Sequence, residues 1–405
     1  MILLSSCNLE QGNCSSCPVF IPLKDSVKVM PPIIEVASLL NPLKFGIDKL
    51  GLILDSLKHK RIAIVGNQSS IVNNKHLVDT LLSLGINVVK VFSPEHGFRG
   101  DLDAGENVNN SIDKKTGIPL VSLYGNNKKP SDNDLTTIDI IIFDIQDVGV
   151  RFYTFLSTLH YVMEACAENN KKLIVLDRPN PNAHYIDGPI LEIAYTSFVG
   201  LHPVPIVYGM TIGEYALMIN GEGWLNNNVK CDLMVLPCEN YSHETRFICS
   251  IPPSQNLKSE LAISLYPSLC LFEATTVSVG RGTDTPFEIY GHPNFPSSTF
   301  SFIPVAKVGA KKPLHLGEKC FGYSFSTSKE FRMNKINLDF LIQARDNLLD
   351  SFVFIDQESF FNKLAGTASL KEQLYKGWSA NQIRETWKPG LAQFKEIRKK
   401  YLLYN

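Results

Sequence analysis

The residues best equipped for chemistry stand in a charged, glycine-rich loop at residues 91–106, which reads V-F-S-P-E-H-G-F-R-G-D-L-D-A-G-E. The loop follows an apolar run at residues 87–92 and places a carboxylate (Glu95), an imidazole (His96) and a guanidinium (Arg99) within five positions. A positioned carboxylic acid can protonate a leaving oxygen, and its polar neighbours can orient it. The loop is therefore our first candidate site, and the alternative interpretation is a solvated turn.

Three further polar clusters follow predicted strands. They occupy residues 144–154 (D-I-Q-D-V-G-V-R-F-Y-T), 177–181 (D-R-P-N-P) and 202–211 (H-P-V-P-I-V-Y-G-M-T). The carboxyl ends of strands in a doubly wound sheet meet at one edge, so we expect the clusters to share a cleft. Each cluster alone also has a structural interpretation, because Asp144 can cap a helix, Arg178 can pair with the preceding aspartate, and His202 can simply be buried.

One more cluster, at residues 272–283 (F-E-A-T-T-V-S-V-G-R-G-T), lies in the second half of the chain. The glycines on either side of Arg281 allow its guanidinium to project from a tight turn, where it suits a carboxylate or another anion. Glu273 is a second carboxylate that can face Glu95 across a cleft between two domains. The alternative for Glu273 is a surface glutamate at a strand end.

These clusters are positioned by elements that the apolar periodicity predicts. Strands are predicted at residues 61–66, 87–92, 119–124, 138–144, 172–177 and 232–236. Helices are predicted at residues 34–57 (broken at Pro42), 75–84, 152–168, 338–349 and 391–403, and another from Thr211, where T-I-G-E fits a capping box. The alternation predicts an α/β fold with a Rossmann-like doubly wound parallel sheet. Because the pattern changes after residue 237, we predict a Rossmann-like domain at 45–255 and a second, smaller α+β C-terminal domain at 256–405.

The N-terminus is interpreted separately. Residues 1–30 carry no periodic pattern and are predicted to be a tail. The sequence L-S-S-C ending at Cys7 resembles a lipobox, although the basic and apolar parts of a full secretion signal are missing. We expect a cell-envelope protein, periplasmic or carrying lipid on Cys7, and the alternative is a cytoplasmic protein with an irregular N-terminus. Cys14 and Cys17 form a C-x-x-C pair outside any βαβ context, which is only a weak sign of redox or zinc chemistry.

Composition and missing motifs argue against several classes of protein. The net charge of −1 without a basic block makes nucleic acid and anionic membrane surfaces poor partners, and the 44% hydrophobic and 20% charged residues are typical of globular domains. The sequence has no G-x-G-x-x-G after a strand, no Walker motif, no G-x-S-x-G and no paired histidine spacing. We therefore expect no cofactor and no metal site. Carboxylates, arginines, a tyrosine and asparagines in a cleft suit carbohydrate hydrolysis.

Four segments resemble the NamZ family of exo-β-N-acetylmuramidases, formerly a domain of unknown function. They are S-P-E-H-G-F-R-G, F-D-I-Q-D-V-G-V-R-F-Y-T, L-D-R-P-N-P and S-V-G-R-G-T-D-T-P-F, in the same order along the chain. The resemblance extends from about residue 45 to the C-terminus. It implies a Rossmann-like domain, a smaller C-terminal domain and an active site between them. It also implies the removal of N-acetylmuramic acid from the non-reducing end of peptidoglycan fragments.

The resemblance implies roles for individual residues as well. Glu95 becomes the leading catalytic acid, Glu273 the second catalytic carboxylate, and His96 a residue that orients the acid or the sugar. The expected substrate-binding residues are Arg99, Asp147, Arg151, Tyr153, Arg178, Asn180, Arg281 and Thr283. One of these arginines is expected to pair with the lactyl carboxylate of muramic acid. Ala274 stands where the family pattern has glycine, and a left-handed backbone at that position would displace Glu273.

Other interpretations stay open at this point. Glu95 as the acid fits a retaining, an inverting or a substrate-assisted mechanism. A protein that captures a cell-wall sugar without cleaving it fits the same fold class. A hydrolase acting on cell-wall peptide or acyl groups is a third reading, but the sequence has no recognisable nucleophile or metal set for it.

Overall fold

The computed structural model describes residues 42–99, 111–325, 332–348 and 352–404. The predictions made for the tail at 1–30, for Cys7, Cys14 and Cys17, and for positions 100–106 of the charged loop lie outside these residues. The envelope location and the lipid on Cys7 therefore stay predictions. Within the described ranges, no helix combines the length and apolar character needed to cross a bilayer.

The described chain alternates strands and helices over most of its length. The strands are β1 (Arg61–Gly66), β2 (Ile71–Val72), β3 (Lys75–His76), β4 (Asn87–Ser93), β5 (Ser111–Ile112), β6 (Pro119–Ser122), β7 (Ile140–Asp144), β8 (Lys172–Leu176), β9 (Asp232–Leu236), β10 (Ile289–His292), β11 (Ser301–Phe302) and β12 (Cys320–Ser324). The α-helices are α1 (Leu54–Leu57), α2 (Leu77–Ser83), α3 (Asp132–Leu135), α4 (Phe155–Glu168), α5 (Ile212–Gly221), α6 (Glu260–Leu269), α7 (Asp339–Asn347), α8 (Glu358–Ala365), α9 (Ser369–Tyr375) and α10 (Ala380–Lys399). Short 3-10 segments occupy Gly46–Leu52, Ile193–Tyr195, Asn226–Asn228 and Cys270–Ala274.

Seven strands form the central sheet, in the order β5-β6-β4-β1-β7-β8-β9. All neighbouring strands are parallel except the short edge strand β5, which runs antiparallel to β6. Counted along the chain, the six parallel strands follow the order 3-2-1-4-5-6, which is that of Rossmann folds. A small antiparallel sheet, β10-β12-β11, belongs to the C-terminal part. The predicted fold class, a doubly wound parallel sheet with a second, smaller C-terminal domain, is confirmed.

Both faces of the central sheet are buried. Successive residues of β1 enter different core clusters: Ile62 and Ile64 enter one, and Ala63 and Val65 enter the other. This is the period of two that a strand imposes on its side chains. The second of these clusters continues into the C-terminal helices, and Leu43–Asn405 form one compact unit. The domain boundary that the sequence places near residue 255 stays a prediction.

Several helices begin elsewhere than their apolar patterns predict: α4 begins three residues late, and the described part of the segment predicted at 34–57 forms a 3-10 segment and the short α1. Two others have a local cause. The helix predicted at 75–84 loses its first two residues to β3, and α2 begins after His76, whose imidazole caps it. The helix predicted at 391–403 begins eleven residues earlier, because Ser379 and Gln382 form a capping box there. It continues through Pro389, so this proline does not end the helix as it commonly would.

The usual dinucleotide position of this fold is filled by the chain itself. In Rossmann folds the ligand lies where the strand order reverses, here between β1 and β7. Ser70 Oγ, just after β1, donates to the carbonyl oxygen of Asp144 at 2.5 Å, and the N–H of Gln146 donates to Ser69 Oγ at 3.0 Å. All of these side chains are buried. Contacts within the chain therefore occupy the space between the ends of β1 and β7.

Candidate active site

A cleft of about 1000 Å³ lies at the carboxyl edge of the sheet. Its lining comes from residues that follow β4, β6 and β7 and from the C-terminal part of the chain. Among the lining side chains are Glu95, His96, Tyr124, Tyr153 and Thr154 from the sheet edge, and Glu273 and Arg281 from the C-terminal part. The cleft therefore brings together five of the residues that the sequence predicts for the site: Glu95, His96, Tyr153, Glu273 and Arg281.

Glu95 and His96 are presented by a tight turn directly after β4. The N–H of Gly97 donates to the carbonyl of Pro94 at 3.2 Å, and His96 has a φ of 73°. A positive φ at the third residue of a turn defines type II geometry, for which glycine is the favoured residue. A histidine held there stores backbone strain, and such strain concentrates at functional sites. The turn leaves Glu95 half-buried in the cleft lining.

The carboxylate of Glu95 is held by neighbouring hydroxyl groups. Thr154 Oγ1 donates to Glu95 Oε2 at 2.7 Å. Tyr124 also forms a side-chain hydrogen bond with Glu95. Burial, together with the charge of Glu95 and this hydrogen bond, raises the pKa of Tyr124, which therefore remains a protonated donor at neutral pH.

Glu273 is fixed by an ion pair within the second part of the lining. It projects from the 3-10 segment Cys270–Ala274, and its Oε1 accepts a hydrogen bond of 2.6 Å from Arg281 Nε. The flanking glycines, with φ of 76° at Gly280 and 82° at Gly282, let Arg281 project from its turn as predicted. Burial alone would lower the pKa of Arg281, but the charge of Glu273 and their hydrogen bond outweigh it and raise that pKa. The anion that Arg281 binds is thus Glu273.

The alanine at position 274 leaves Glu273 in place. Ala274 is buried at the end of the 3-10 segment and is not among the described residues with positive φ. No left-handed backbone is needed there, so the loss of the family's glycine carries no strain.

Four of the predicted substrate-binding residues lie outside the cleft lining and have partners within the protein. Arg99 Nη2 pairs with Asp113 at 2.8 Å, Arg178 Nε with Asp144 at 2.6 Å, Asn180 Nδ2 with the Met210 carbonyl at 2.7 Å, and Thr283 Oγ1 with the Gly280 carbonyl at 2.7 Å. The Arg178–Asp144 pair is buried and joins the ends of β7 and β8. All four side chains therefore bind other parts of the protein and support the site from outside the cleft lining. We call such residues the framework of the site.

Arg151 is also part of the framework. Its guanidinium is buried and donates to four backbone carbonyls, those of Pro189, Val204, Leu364 and Ala365, at 2.7 to 3.0 Å. Burial lowers the pKa of Arg151 to about 9. Arg151, which the sequence predicts to contact substrate, instead links the sheet edge to the end of α8. We call Arg151 and these four carbonyls the clasp.

Asp147 is the last of the predicted binding residues, and it lies beneath the cleft. Its side chain is buried, and Oδ2 accepts hydrogen bonds from the Tyr208 hydroxyl and from the N–H of Gly149. Burial raises the pKa of Asp147 to about 6 despite these hydrogen bonds. A carboxyl group with a raised pKa in the folded state stabilises that state below its unfolded pKa, and the stabilisation is lost as the pH rises through the folded value.

Asp147→Asn is predicted to change how stability depends on pH. Between about pH 4.5 and pH 7, the free energy of unfolding of the wild type should fall by about 2 kcal/mol relative to that of the variant, because only the wild type must ionise a buried carboxyl group. Urea denaturation of both proteins across this range measures the difference. If the difference in unfolding free energy between the two proteins did not change with pH, the raised pKa of Asp147 would be contradicted. A loss of stability that is the same at every pH would not affect this comparison.

Sequence reasoning missed two cleft residues that contact Glu95. Tyr124 follows β6 and precedes Gly125. A polar aromatic residue beside a glycine at a strand end is the sequence feature that could have identified it as a site residue. Thr154 lies within the 144–154 cluster, but a threonine before a helix is normally read as its cap.

Family models and solved structures of other proteins match this chain along most of its length. The model described as "Exo-beta-N-acetylmuramidase NamZ, N-terminal" matches residues 62–260, and the model described as "Exo-beta-N-acetylmuramidase NamZ, C-terminal" matches residues 264–404. Two DUF1343 family proteins of Bacteroides fragilis NCTC 9343 have the same fold. One is 47% identical with a TM-score of 0.82, and the other is 28% identical with a TM-score of 0.75. Each match covers 90% of this chain and 99% of the other.

A curated relative is similar over both halves of the chain. The peptidoglycan beta-N-acetylmuramidase NamZ of Bacillus subtilis (strain 168) is 38% identical over 371 residues, which cover 86% of this chain and 88% of the relative. The two family models together include the turn of Glu95, the N-terminus of α4 and the segment that carries Glu273 and Arg281. The chain belongs to the NamZ family of exo-β-N-acetylmuramidases.

Proposed function

We propose that this protein is a glycoside hydrolase that releases N-acetylmuramic acid from the non-reducing end of peptidoglycan fragments. The observation that carries the proposal is the pairing of two carboxylates in one cleft. Glu95 comes from the sheet edge and Glu273 from the C-terminal part, and each is held by its own hydrogen-bond donors. Two carboxyl groups beside one bond are the usual apparatus of glycoside hydrolysis.

Glu95 is proposed as the acid that protonates the glycosidic oxygen. It is half-buried, lines the cleft and accepts a hydrogen bond from the Thr154 hydroxyl. Glu273 lies beside the Arg281 cation, which suits a group that acts as a carboxylate. It supplies the negative charge that an oxocarbenium-like transition state requires.

Other lining residues are proposed to bind the sugar. Burial raises the pKa of Tyr153 well above its usual value, so its hydroxyl remains available as a donor. His96 lies beside Glu95 and can contact the same sugar. Lys128 and Lys312 also line the cleft and supply positive charge for the lactyl carboxylate. They replace the predicted arginines in this role, because Arg281 pairs with Glu273 and the other three arginines lie outside the lining.

Hydrolysis of a chromogenic β-N-acetylmuramide, compared with the matching β-N-acetylglucosaminide, tests the proposed function. The two substrates differ by the lactyl ether, so we expect release from the muramide and little or none from the glucosaminide. Equal release from both would contradict the proposed selectivity. Binding of muramic acid without release from either substrate would instead identify a sugar-binding protein.

A further inference from the structure

Thr154 occupies the N-cap position of α4 without capping it. The hydroxyl of an N-cap threonine normally accepts a hydrogen bond from a backbone N–H of the first helical turn. The Thr154 side chain makes no such bond and donates to Glu95 Oε2 at 2.7 Å. Four other hydroxyl N-caps in the described chain do accept from their own helices: Ser131, Thr211, Ser259 and Ser379. Those four residues have extended backbone angles, whereas Thr154 has helical ones (φ −65°, ψ −10°), so its hydroxyl is not placed to cap α4 and contacts Glu95 instead.

The environment of this contact favours a carboxylate at the start of α4. The helix has 14 residues, and its first turn contains no acidic side chain. The N-terminus of a helix carries a partial positive charge and unpaired N–H groups, which favour an anion nearby. Glu95 brings a negative charge to this helix end from a separate part of the chain, 59 positions away from Thr154.

Tyr124 contacts the same carboxylate from the loop after β6. Its ring lies 6.0 Å from that of Phe198, another residue of the cleft lining. The hydrogen bond between Tyr124 and Glu95 thus joins the ends of two neighbouring strands, β4 and β6. Two hydroxyls from two elements fix the direction of one side chain more closely than either would alone.

We propose that Thr154 is a positioning residue for Glu95, with Tyr124 as the second donor. The inference rests on the proposed function, because it assigns a role to residues that contact its acid. The hydroxyl of Thr154 holds the carboxyl group of Glu95 in one direction within the cleft lining.

The test compares Thr154→Val, which keeps the shape of the side chain and removes the hydroxyl, with Thr154→Ser, which keeps the hydroxyl. On a saccharide β-N-acetylmuramide, whose leaving oxygen needs a proton, we expect Thr154→Val to lower kcat by about 10–100-fold through misplacement of the acid, with a much smaller change in KM. Thr154→Ser should restore most of the activity. Because no capping bond is lost, the unfolding midpoint of Thr154→Val should stay near that of the wild type.

Thr386→Val is the control, since this hydroxyl donates to the Ile383 carbonyl and accepts from Gln373 Nε2, both outside the cleft lining. A Thr154→Val variant with wild-type kcat would overturn the inference. So would one that loses activity only in proportion to a loss of folded protein, because that is the behaviour of a residue that only stabilises the fold. Equal effects of valine and serine would also contradict it.

A wild type that is inactive on the muramide would refute the proposed function. An active wild type whose kcat is unchanged by Thr154→Val would refute the role of Thr154 alone. The two failures are therefore distinguishable.

Discussion

Glu95→Gln is expected to lower kcat/KM on an alkyl or saccharide β-N-acetylmuramide by about 10²–10⁴-fold, the usual contribution of a general acid. Glutamine has the same size and can still accept the hydrogen bond of Thr154, so the fold and the shape of the cleft should be retained. What it cannot do is deliver a proton to the glycosidic oxygen. Steady-state rates of purified wild type and variant, with circular dichroism to verify folding, measure the effect.

Comparing substrates with different leaving groups tests whether Glu95 acts as the acid. An aryl muramide whose phenol is strongly acidic needs little protonation, so the loss caused by Glu95→Gln should shrink on that substrate. Glu239→Gln is the control, because Glu239 is exposed and pairs with Lys44 away from the cleft lining. Equal losses on both leaving groups would assign Glu95 another catalytic role, and a fully active Glu95→Gln would remove it from the chemistry.

Arg151→Met is expected to lower the free energy of unfolding by about 3–5 kcal/mol, which is comparable to the loss from breaking a buried ion pair. Methionine keeps much of the aliphatic stem but leaves four buried carbonyl oxygens without their shared donor. The total stability of a domain is about 5–15 kcal/mol, so this variant should lose a large fraction of it. Urea denaturation followed by fluorescence measures the loss.

The same variant separates the framework role of Arg151 from the substrate contact that the sequence suggested. A residue that binds only substrate would raise KM on substitution and leave the unfolding transition unchanged. Arg246→Met provides the control, since Arg246 forms an ion pair with Glu260 and its side chain is 49% exposed. We expect the control to cost no more than about 1 kcal/mol. A similar cost for Arg151→Met would contradict the clasp.

The parts of the fold that depend on local pattern could be predicted from the sequence. The strands at 61–66 and 232–236 end where their apolar runs end, and the capping box at Thr211 and Glu214 forms as predicted. The turn of Glu95 could also be found, because its residue types and its place after a strand are both visible in the sequence.

The framework residues could not be separated from the cleft residues in the same way. Arg151 and Tyr153 are two positions apart, yet one is a buried clasp and the other lines the cleft. Their difference depends on acceptors such as Leu364, which lie more than 200 positions away. Likewise, Thr154 reads as a helix cap until the position of Glu95 is known. Residue types and spacing do not contain these long-range contacts.

The clasp at Arg151 also places a constraint on how the protein is made. Two of its four acceptors belong to Leu364 and Ala365, which are synthesised 213 and 214 residues later. At a ribosomal rate of about 5–20 residues per second, this interval lasts about 10–40 s. During that time the guanidinium of Arg151, which is buried in the folded protein, lacks two of its four carbonyl acceptors. The catalytic cleft therefore matures only near the end of translation, when the chain that completes the clasp also completes its lining.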